Sequence, residues 1–212
     1  MIKLIEIFCS IQGESSYIGY PCIFIRFAEC NLRCNYCDTQ YSYKANYSMN
    51  IEDILDHIRK YHPVKLVEIT GGEPLLQAEV TNLINALEEN NYQVLLETNG
   101  SLPLDKISPT VHKIIDVKTI KSGSKNSFCI SNLDSMNKND ELKFVISDYE
   151  DYVWSKNFIY QYNLLGRKII FSPVFSRIQP DILASWIVED RLNVRFQLQI
   201  HKYIWNPNKQ GV

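Results

Sequence analysis

The chain has 212 residues, with 22 Lys+Arg against 24 Asp+Glu and a formal net charge of −2. That length can bury a sizeable core and suits one domain, while 45% hydrophobic and 22% charged residues exclude wholesale disorder. The charge balance gives no electrostatic grip on a nucleic-acid backbone, and no apolar run approaches the roughly 18 residues of a membrane span. The opening MIKLIEI carries Lys3 and Glu6 and lacks the apolar core and cleavage site of an export signal, so a soluble cytoplasmic protein is expected.

Apolar periodicity then alternates between strand-like and helix-like segments. An amino-terminal strand is expected at residues 2–8. Short runs rich in Val, Ile, Leu or Phe follow at 23–27, 65–70, 93–97, 113–116, 142–146, 168–171 and 195–200, as for strands covered on both faces. A helix is predicted at 51–61, where Ile51, Ile54, Leu55 and Ile58 share one face and Asn50 is placed to cap it. A second is predicted at 75–90, through Val80, Leu83, Ile84 and Leu87, with further helices at 149–162 and 180–190. The Asn-, Ser- and Lys-rich segment 121–140 reads as a long loop. No internal repeat or interdomain linker is visible, so residues 1–212 read as a single domain.

Repeated β-α units imply an α/β fold with a parallel sheet and right-handed crossovers. About six units are too few for a regular eight-unit barrel, which takes roughly 250 residues, so an incomplete TIM-like barrel or a doubly wound sheet is expected. Both gather their chemistry at strand carboxyl ends. Here those ends carry a cysteine loop, Thr70-Gly71-Gly72-Glu73-Pro74, Glu97-Thr98-Asn99-Gly100, Asp116-Val117-Lys118, Ser147, Ser172-Pro173 and His201-Lys202.

Three of the six cysteines, Cys30, Cys34 and Cys37, crowd into eight residues. Such crowding without an export signal points to metal rather than to disulfides. The Cys34-x-x-Cys37 turn suits zinc or iron–sulfur ligation. A structural zinc site needs a fourth ligand, for which only Asp38, His201 or a distant cysteine such as Cys129 is at hand. Three cysteines on a four-iron cluster instead leave one iron open to a substrate or cofactor. Gly71-Gly72 leaves backbone polar groups accessible to a zwitterion, Glu73 can receive an ammonium group, and Pro74 fixes the turn. Without the cysteines, the same residues would read as an ordinary strand-to-helix turn.

Cys30-x-x-x-Cys34-x-x-Cys37 with Tyr36 before the last cysteine, followed by Gly71-Gly72-Glu73-Pro74, resembles the radical S-adenosylmethionine superfamily. Phe8-Cys9-Ser10-Ile11-Gln12-Gly13-Glu14, Gly19 to Phe27, Cys34 to Thr39, Glu97 to Gly100, Glu141 to Ile146 and Leu198 to Trp205 extend the likeness to the 7-carboxy-7-deazaguanine synthase family. Activases of glycyl-radical proteins share the cysteines but usually lack the Gln-Gly-Glu opening and the His-Lys-x-x-Trp ending. The resemblance implies a partial barrel with the cluster loop at its carboxyl-terminal rim. It also implies ring contraction of 6-carboxy-5,6,7,8-tetrahydropterin to 7-carboxy-7-deazaguanine with loss of ammonia, for queuosine and other 7-deazapurines. In that family a 5′-deoxyadenosyl radical takes hydrogen from C6 of the pterin and later returns it.

The residue roles follow from the same likeness. Cys30, Cys34 and Cys37 would hold a 4Fe–4S cluster, and Thr39 would supply oxygen to Mg²⁺, which retains several waters and needs few protein ligands. Tyr36, Cys37, Asp38, Gly72 and Glu73 would contact S-adenosylmethionine, joined by Thr119, Lys121, Ser147 and Ser172. Ile11, Gln12, Gly13 and Glu14 suit the donors and acceptors of an aminopyrimidinone edge. Arg26 can clamp a carboxylate through two bonds, and because it interrupts an apolar strand its burial demands an anion. Thr70 and His201 complete the expected substrate pocket. A flavodoxin- or ferredoxin-type electron donor and a homodimer are also implied. The sequence departs from the family pattern at Ser15 and Glu29, where glycine is usual, and at Ile120, where proline is usual.

Overall fold

A computed structural model describes residues 1–212. One nine-stranded sheet runs through it in the order β3-β1-β2-β4-β5-β6-β7-β8-β9. Strand β1 (Ile2–Ile11) lies antiparallel between β2 (Pro21–Phe27) and β3 (Tyr47–Met49). From β2 outward every pairing is parallel, through β4 (Leu66–Gly71), β5 (Gln93–Thr98), β6 (His112–Asp116), β7 (Glu141–Ile146), β8 (Lys168–Pro173) and β9 (Arg195–Phe196). The open parallel sheet is the α/β architecture expected, with an antiparallel hairpin and a short strand added at one side.

Helices α1 (Ile51–Arg59), α2 (Val80–Glu89), α3 (Tyr149–Gln161) and α4 (Pro180–Glu189) cover one face of the sheet. Their apolar sides join the outward residues of the strands in a core of 35 buried residues. In β7, for example, Leu142, Phe144 and Ile146 belong to that core, so Glu141, Lys143 and Val145 turn to the opposite, concave face. Asn50 caps α1 by accepting from Asp53 N at 2.8 Å, as its position predicts.

The structure departs from the expectation in two places. The predicted helix 75–90 splits into a 3₁₀ turn (Pro74–Leu76) and α2. Between them the Gln77 amide accepts from Lys3 N at 2.7 Å and donates to Lys3 O at 2.8 Å and Ala28 O at 3.2 Å, which ties that turn to β1. The crossover after β6 carries the long loop expected at 121–140, with 3₁₀ turns at Ile120–Ser122 and Ile130–Leu133. The strand expected at 195–200 stops at Phe196. Gln197 N still reaches Phe171 O, but the next donor on β8 would be Pro173, which has no N–H to extend the ladder. His201 therefore begins a short helix, α5 (His201–Ile204), rather than ending a strand.

The segment after β1 folds back under the concave face and closes its lower end. Gln197 donates to Ser15 O at 2.9 Å and accepts from Ser15 N at 2.7 Å. Glu141, fully buried at the start of β7, accepts from Ser16 N and Ser16 Oγ at 2.9 and 2.6 Å, from Arg195 at 2.5 Å, and pairs with His112 Nε2 at 3.1 Å. Above this polar floor sits a small apolar cluster of Phe8, Cys22, Phe24, Leu66, Leu95 and Ile114.

Ser15 and Glu29 both lie in the left-handed region, at φ 64° and 72°. These are the two positions where the sequence carries a side chain in place of glycine, and left-handed backbone costs about 1–2 kcal/mol for such residues. Replacing Glu29 by Gly should therefore stabilise the chain by about 1 kcal/mol, despite loss of its exposed 2.7 Å ion pair with Lys3. A urea midpoint that fails to rise in Glu29→Gly would contradict this.

Candidate active site

The concave face opens into a cavity of about 340 Å³ at the carboxyl ends of the parallel strands. Its upper wall is the loop that follows β2. Cys30, Cys34 and Cys37 all line it as free, half-buried thiols. The loop is held on both sides: Asn35 N donates to Ser122 O at 2.9 Å, and Glu73 N donates to Glu29 O at 2.8 Å. Gly72 permits this approach. A Cβ there would stand 1.9 Å from Glu29 O and 3.1 Å from the Cys30 Cβ, so only glycine lets the two loops meet.

No three His, Cys, Asp or Glu side chains form a mononuclear metal site, whereas the thiolates of a four-iron cluster each bind a separate corner. Burial pushes the Cys30 and Cys34 thiols up, opposed by the Lys118 ammonium; metal binding displaces such protons. Lys118 pairs with Asp116 at 3.0 Å, and the other Asp116 oxygen is buried without a partner. Three thiols, a bare glycine backbone and an unpaired carboxylate oxygen fit a cluster with a polar ligand beside it.

Tyr36 hangs from this loop with its hydroxyl 3.3 Å from both Thr119 Oγ1 and Val145 O. Burial raises its phenol to about 12. Asp38 and Thr39 stand at the loop's end, where the Thr39 hydroxyl donates to Asp38 at 2.9 Å. Burial opposes ionisation of Asp38, but Lys202 at 2.5 Å, Thr39 and Arg26 together hold its carboxyl well below the usual range.

The opposite wall is built from the segment after β1. Gly13 packs against His201, whose Nδ1 would lie 2.1 Å from a Cβ at that position. Burial lowers the His201 imidazole, partly offset by Glu14. Glu14 accepts from Lys143 at 2.9 Å and from Gln199 at 2.8 Å. Arg26 spends only Nε on Glu6, at 2.8 Å, while its guanidinium lies over Phe8 and Tyr41. The anion that its burial demands is thus Glu6, and the two Nη groups remain for a ligand.

Lys143 joins the walls. Its ammonium, 3% exposed, pairs with Glu14, with Glu97, and with Asp116 at 3.7 Å. Burial opposes ionisation of Glu97, yet Lys143 and the Thr70 hydroxyl at 3.0 Å bring its carboxyl down to about 2. Glu68 lies nearby on β4, equally buried.

Of the residues expected at the site, Ile11, Gln12, Gly13, Glu14, Arg26, Cys30, Cys34, Tyr36, Cys37, Asp38, Thr39, Thr70, Gly72 and His201 line this cavity. Five do not. The Glu73 carboxylate is consumed by Leu75 N, Thr98 Oγ1 and Asn99 N at 2.8–3.0 Å, so it braces the turn instead of meeting an ammonium ligand. Lys121 points outward to Asp148 and Glu150. Thr119 lies beneath Tyr36, and the Ser147 and Ser172 hydroxyls are buried without partners behind the wall. Glu68 and Lys143 also line the cavity. No role was expected of them, because a charged residue inside a fully buried strand announces a site only once its partners are known. The last residues return to the mouth, where Pro207, Asn208 and Val212 line the cavity.

Two consequences are measurable. Glu97 and Glu141 are both depressed to about 2 from an ordinary value of 4.5. The stability they contribute is therefore complete above about pH 4.5 and lost as pH falls towards 2, which acid titration of the urea midpoint will register. Lys143→Met leaves Glu14 and Glu97 without their shared cation. It should cost about 3–5 kcal/mol at neutral pH, with a smaller deficit near pH 4; an equal deficit at both would refute the ion-pair account.

Comparison with known proteins agrees with this geometry. Residues 24–117 match the Radical SAM superfamily. The chain is 45% identical to the 7-carboxy-7-deazaguanine synthase of Chlorobaculum tepidum, covering 100% of this chain and 97% of that protein. It is 44% identical to that of Koribacter versatilis, covering 100% of both. The crystal structure of QueE from Escherichia coli shares the fold with a TM-score of 0.75 at 21% identity, over 92% of this chain and 93% of that one. With full-length relatives at this level and three thiols in one cavity wall, the chain belongs to the 7-carboxy-7-deazaguanine synthase family of radical S-adenosylmethionine enzymes.

Proposed function

We propose that this cavity converts 6-carboxy-5,6,7,8-tetrahydropterin to 7-carboxy-7-deazaguanine and ammonia, with the whole chain acting as one catalytic unit. The observation that carries the reading is the pairing of walls: three free thiols on one side face an anion-reading guanidinium and hydrogen-bonding groups on the other. Cys30, Cys34 and Cys37 would hold the 4Fe–4S cluster, with Tyr36, Cys37, Asp38 and the Gly72 backbone around S-adenosylmethionine. When bound and reduced, the cluster and S-adenosylmethionine would supply a carbon-centred radical able to take hydrogen from substrate.

The chain's own residues orient the pterin. The free Nη groups of Arg26 match its carboxylate. The Glu14 carboxylate and the backbone of Ile11 to Gly13 match the donors and acceptors of its aminopyrimidinone edge. Thr70 is held by Glu97 at the same rim, and His201 is favoured in its neutral form, able to donate at one nitrogen and accept at the other. Thr39 would give Mg²⁺ an oxygen ligand, and the depressed carboxyl of Asp38 places negative charge beside it.

Reduction of the cluster calls for an electron donor of flavodoxin or ferredoxin type, and the family reading carries a homodimer and a 7-deazapurine pathway such as that of queuosine. A cytoplasmic location is supported by six free cysteines, which a reducing compartment preserves; no helix is long and apolar enough to cross a membrane.

Mass spectrometry of a reaction containing the reconstituted protein, the carboxypterin, S-adenosylmethionine, Mg²⁺ and reductant should show the deazapurine acid and ammonia in equal amounts; absence of both from an iron-loaded sample would refute the assignment. Cys34→Ala should lose iron and turnover together. Thr39→Ala should retain its iron while requiring more Mg²⁺ for half-maximal rate, and unchanged Mg²⁺ dependence would remove Thr39 from that role.

A further inference from the structure

Glu68 is a carboxyl in the cavity wall, 3% exposed, and no lysine, arginine or histidine lies within ion-pair distance of it. Its hydrogen-bond partner is the Gln12 carboxamide, which donates from Nε2 to Glu68 Oε2. The other end of that carboxamide is also fixed, since Gln12 Oε1 accepts from Glu14 N at 3.0 Å. Gln12 is thus a strut between β4 and Glu14, and the Glu14 end fixes its orientation, because exchanging the two ends would set N–H against N–H there.

The surroundings of Glu68 decide its charge. Glu97 faces it from β5, Glu14 from the segment after β1, Lys143 from β7 and the buried Cys22 thiol from β2. The one nearby cation is already shared by Glu14, Glu97 and Asp116. A further anion here would compete for that ammonium and draw it from Glu14. Burial and Glu97 push the Glu68 carboxyl well above its usual range, against weaker opposition from Lys143 and Gln12. The fold therefore favours the protonated form of this carboxyl, and the stability tied to that proton is lost as pH rises above the ordinary carboxylate value.

We propose that Glu68 is a positioning residue for the pterin substrate, a proton-bearing carboxyl that anchors the Gln12 carboxamide and leaves Lys143 to hold Glu14 in place. It acts through Gln12 and Lys143 and takes no part in the radical step. The inference rests on the carboxypterin reading given above.

Three measurements test it. Infrared difference spectra of wild type against E68Q at neutral pH should contain one protonated-carboxyl C=O band; a carboxylate band in its place overturns the proposal whether or not the enzyme turns over. E68A should raise KM for the carboxypterin roughly tenfold, the effect of losing a strut of ~1.4 kcal/mol, with iron content and substrate-free cleavage of S-adenosylmethionine retained. E68Q, a fixed neutral isostere, should restore the neutral-pH KM and abolish the rise of KM at alkaline pH seen in wild type. An E68Q enzyme as impaired as E68A, or one keeping the wild-type alkaline limb, overturns the role. If wild type fails to consume the carboxypterin at any pH, the substrate reading fails instead, and the infrared band still decides the state of Glu68.

Discussion

One buried ammonium holds the concave face together. Lys143 sits on β7 and pairs with Glu14 from the folded-back segment, Glu97 from β5 and Asp116 from β6. Each carboxylate alone would resist burial, and an unpaired ion in such a place costs several kcal/mol. Their common cation turns that liability into a constraint on geometry, because the substrate wall can dock only where its Glu14 meets Lys143.

Around this centre the molecule separates two tasks. The helix-covered face of the sheet carries the 35-residue apolar core and most of the hydrophobic stabilisation. The concave face carries only a six-residue buried apolar cluster, and its cavity mixes polar and apolar residues. A ligand site can be built there because stability is supplied from the other side. Glu141 and Gln197 then close the lower end, and each grips the backbone of the same two-residue turn, Ser15–Ser16. The strain of Ser15 in left-handed backbone is held in place by these bonds.

The cluster loop is positioned by a different device. It carries little apolar surface of its own, and its order comes from contacts at its ends: Gly72 beneath it, Ser122 and Lys121 beside it, and Tyr36 reaching down to Thr119 and Val145. A loop fixed at its margins holds the three thiols at the cavity wall and leaves them unbridged by disulfides. The same economy explains Glu73: its carboxylate shapes the Gly-Gly turn whose backbone faces the ligand.

Much of this was legible in the amino-acid order. Period-two and period-3.6 patterns record which face is buried, and they located every long strand and the four main helices to within a few residues. The cysteine spacing and the Gly-Gly turn record local chemistry and marked the rim. What the order of residues could not carry was pairing between distant side chains. Glu68 and Lys143 stand in strands buried on both faces, where the hydrophobic pattern predicts apolar residues, and their meaning arises only when Gln12, Glu14 and Glu97 arrive from elsewhere in the chain. Lys121 looked suitable by position, yet Asp148 and Glu150 draw its ammonium outward, and Ser147 and Ser172 are buried outside the cavity lining. The sequence by itself determined the elements and the kind of chemistry, because both are local properties. The tertiary structure alone decided which charges share a cation and which side chains reach the cavity, because those depend on contacts closed by folding.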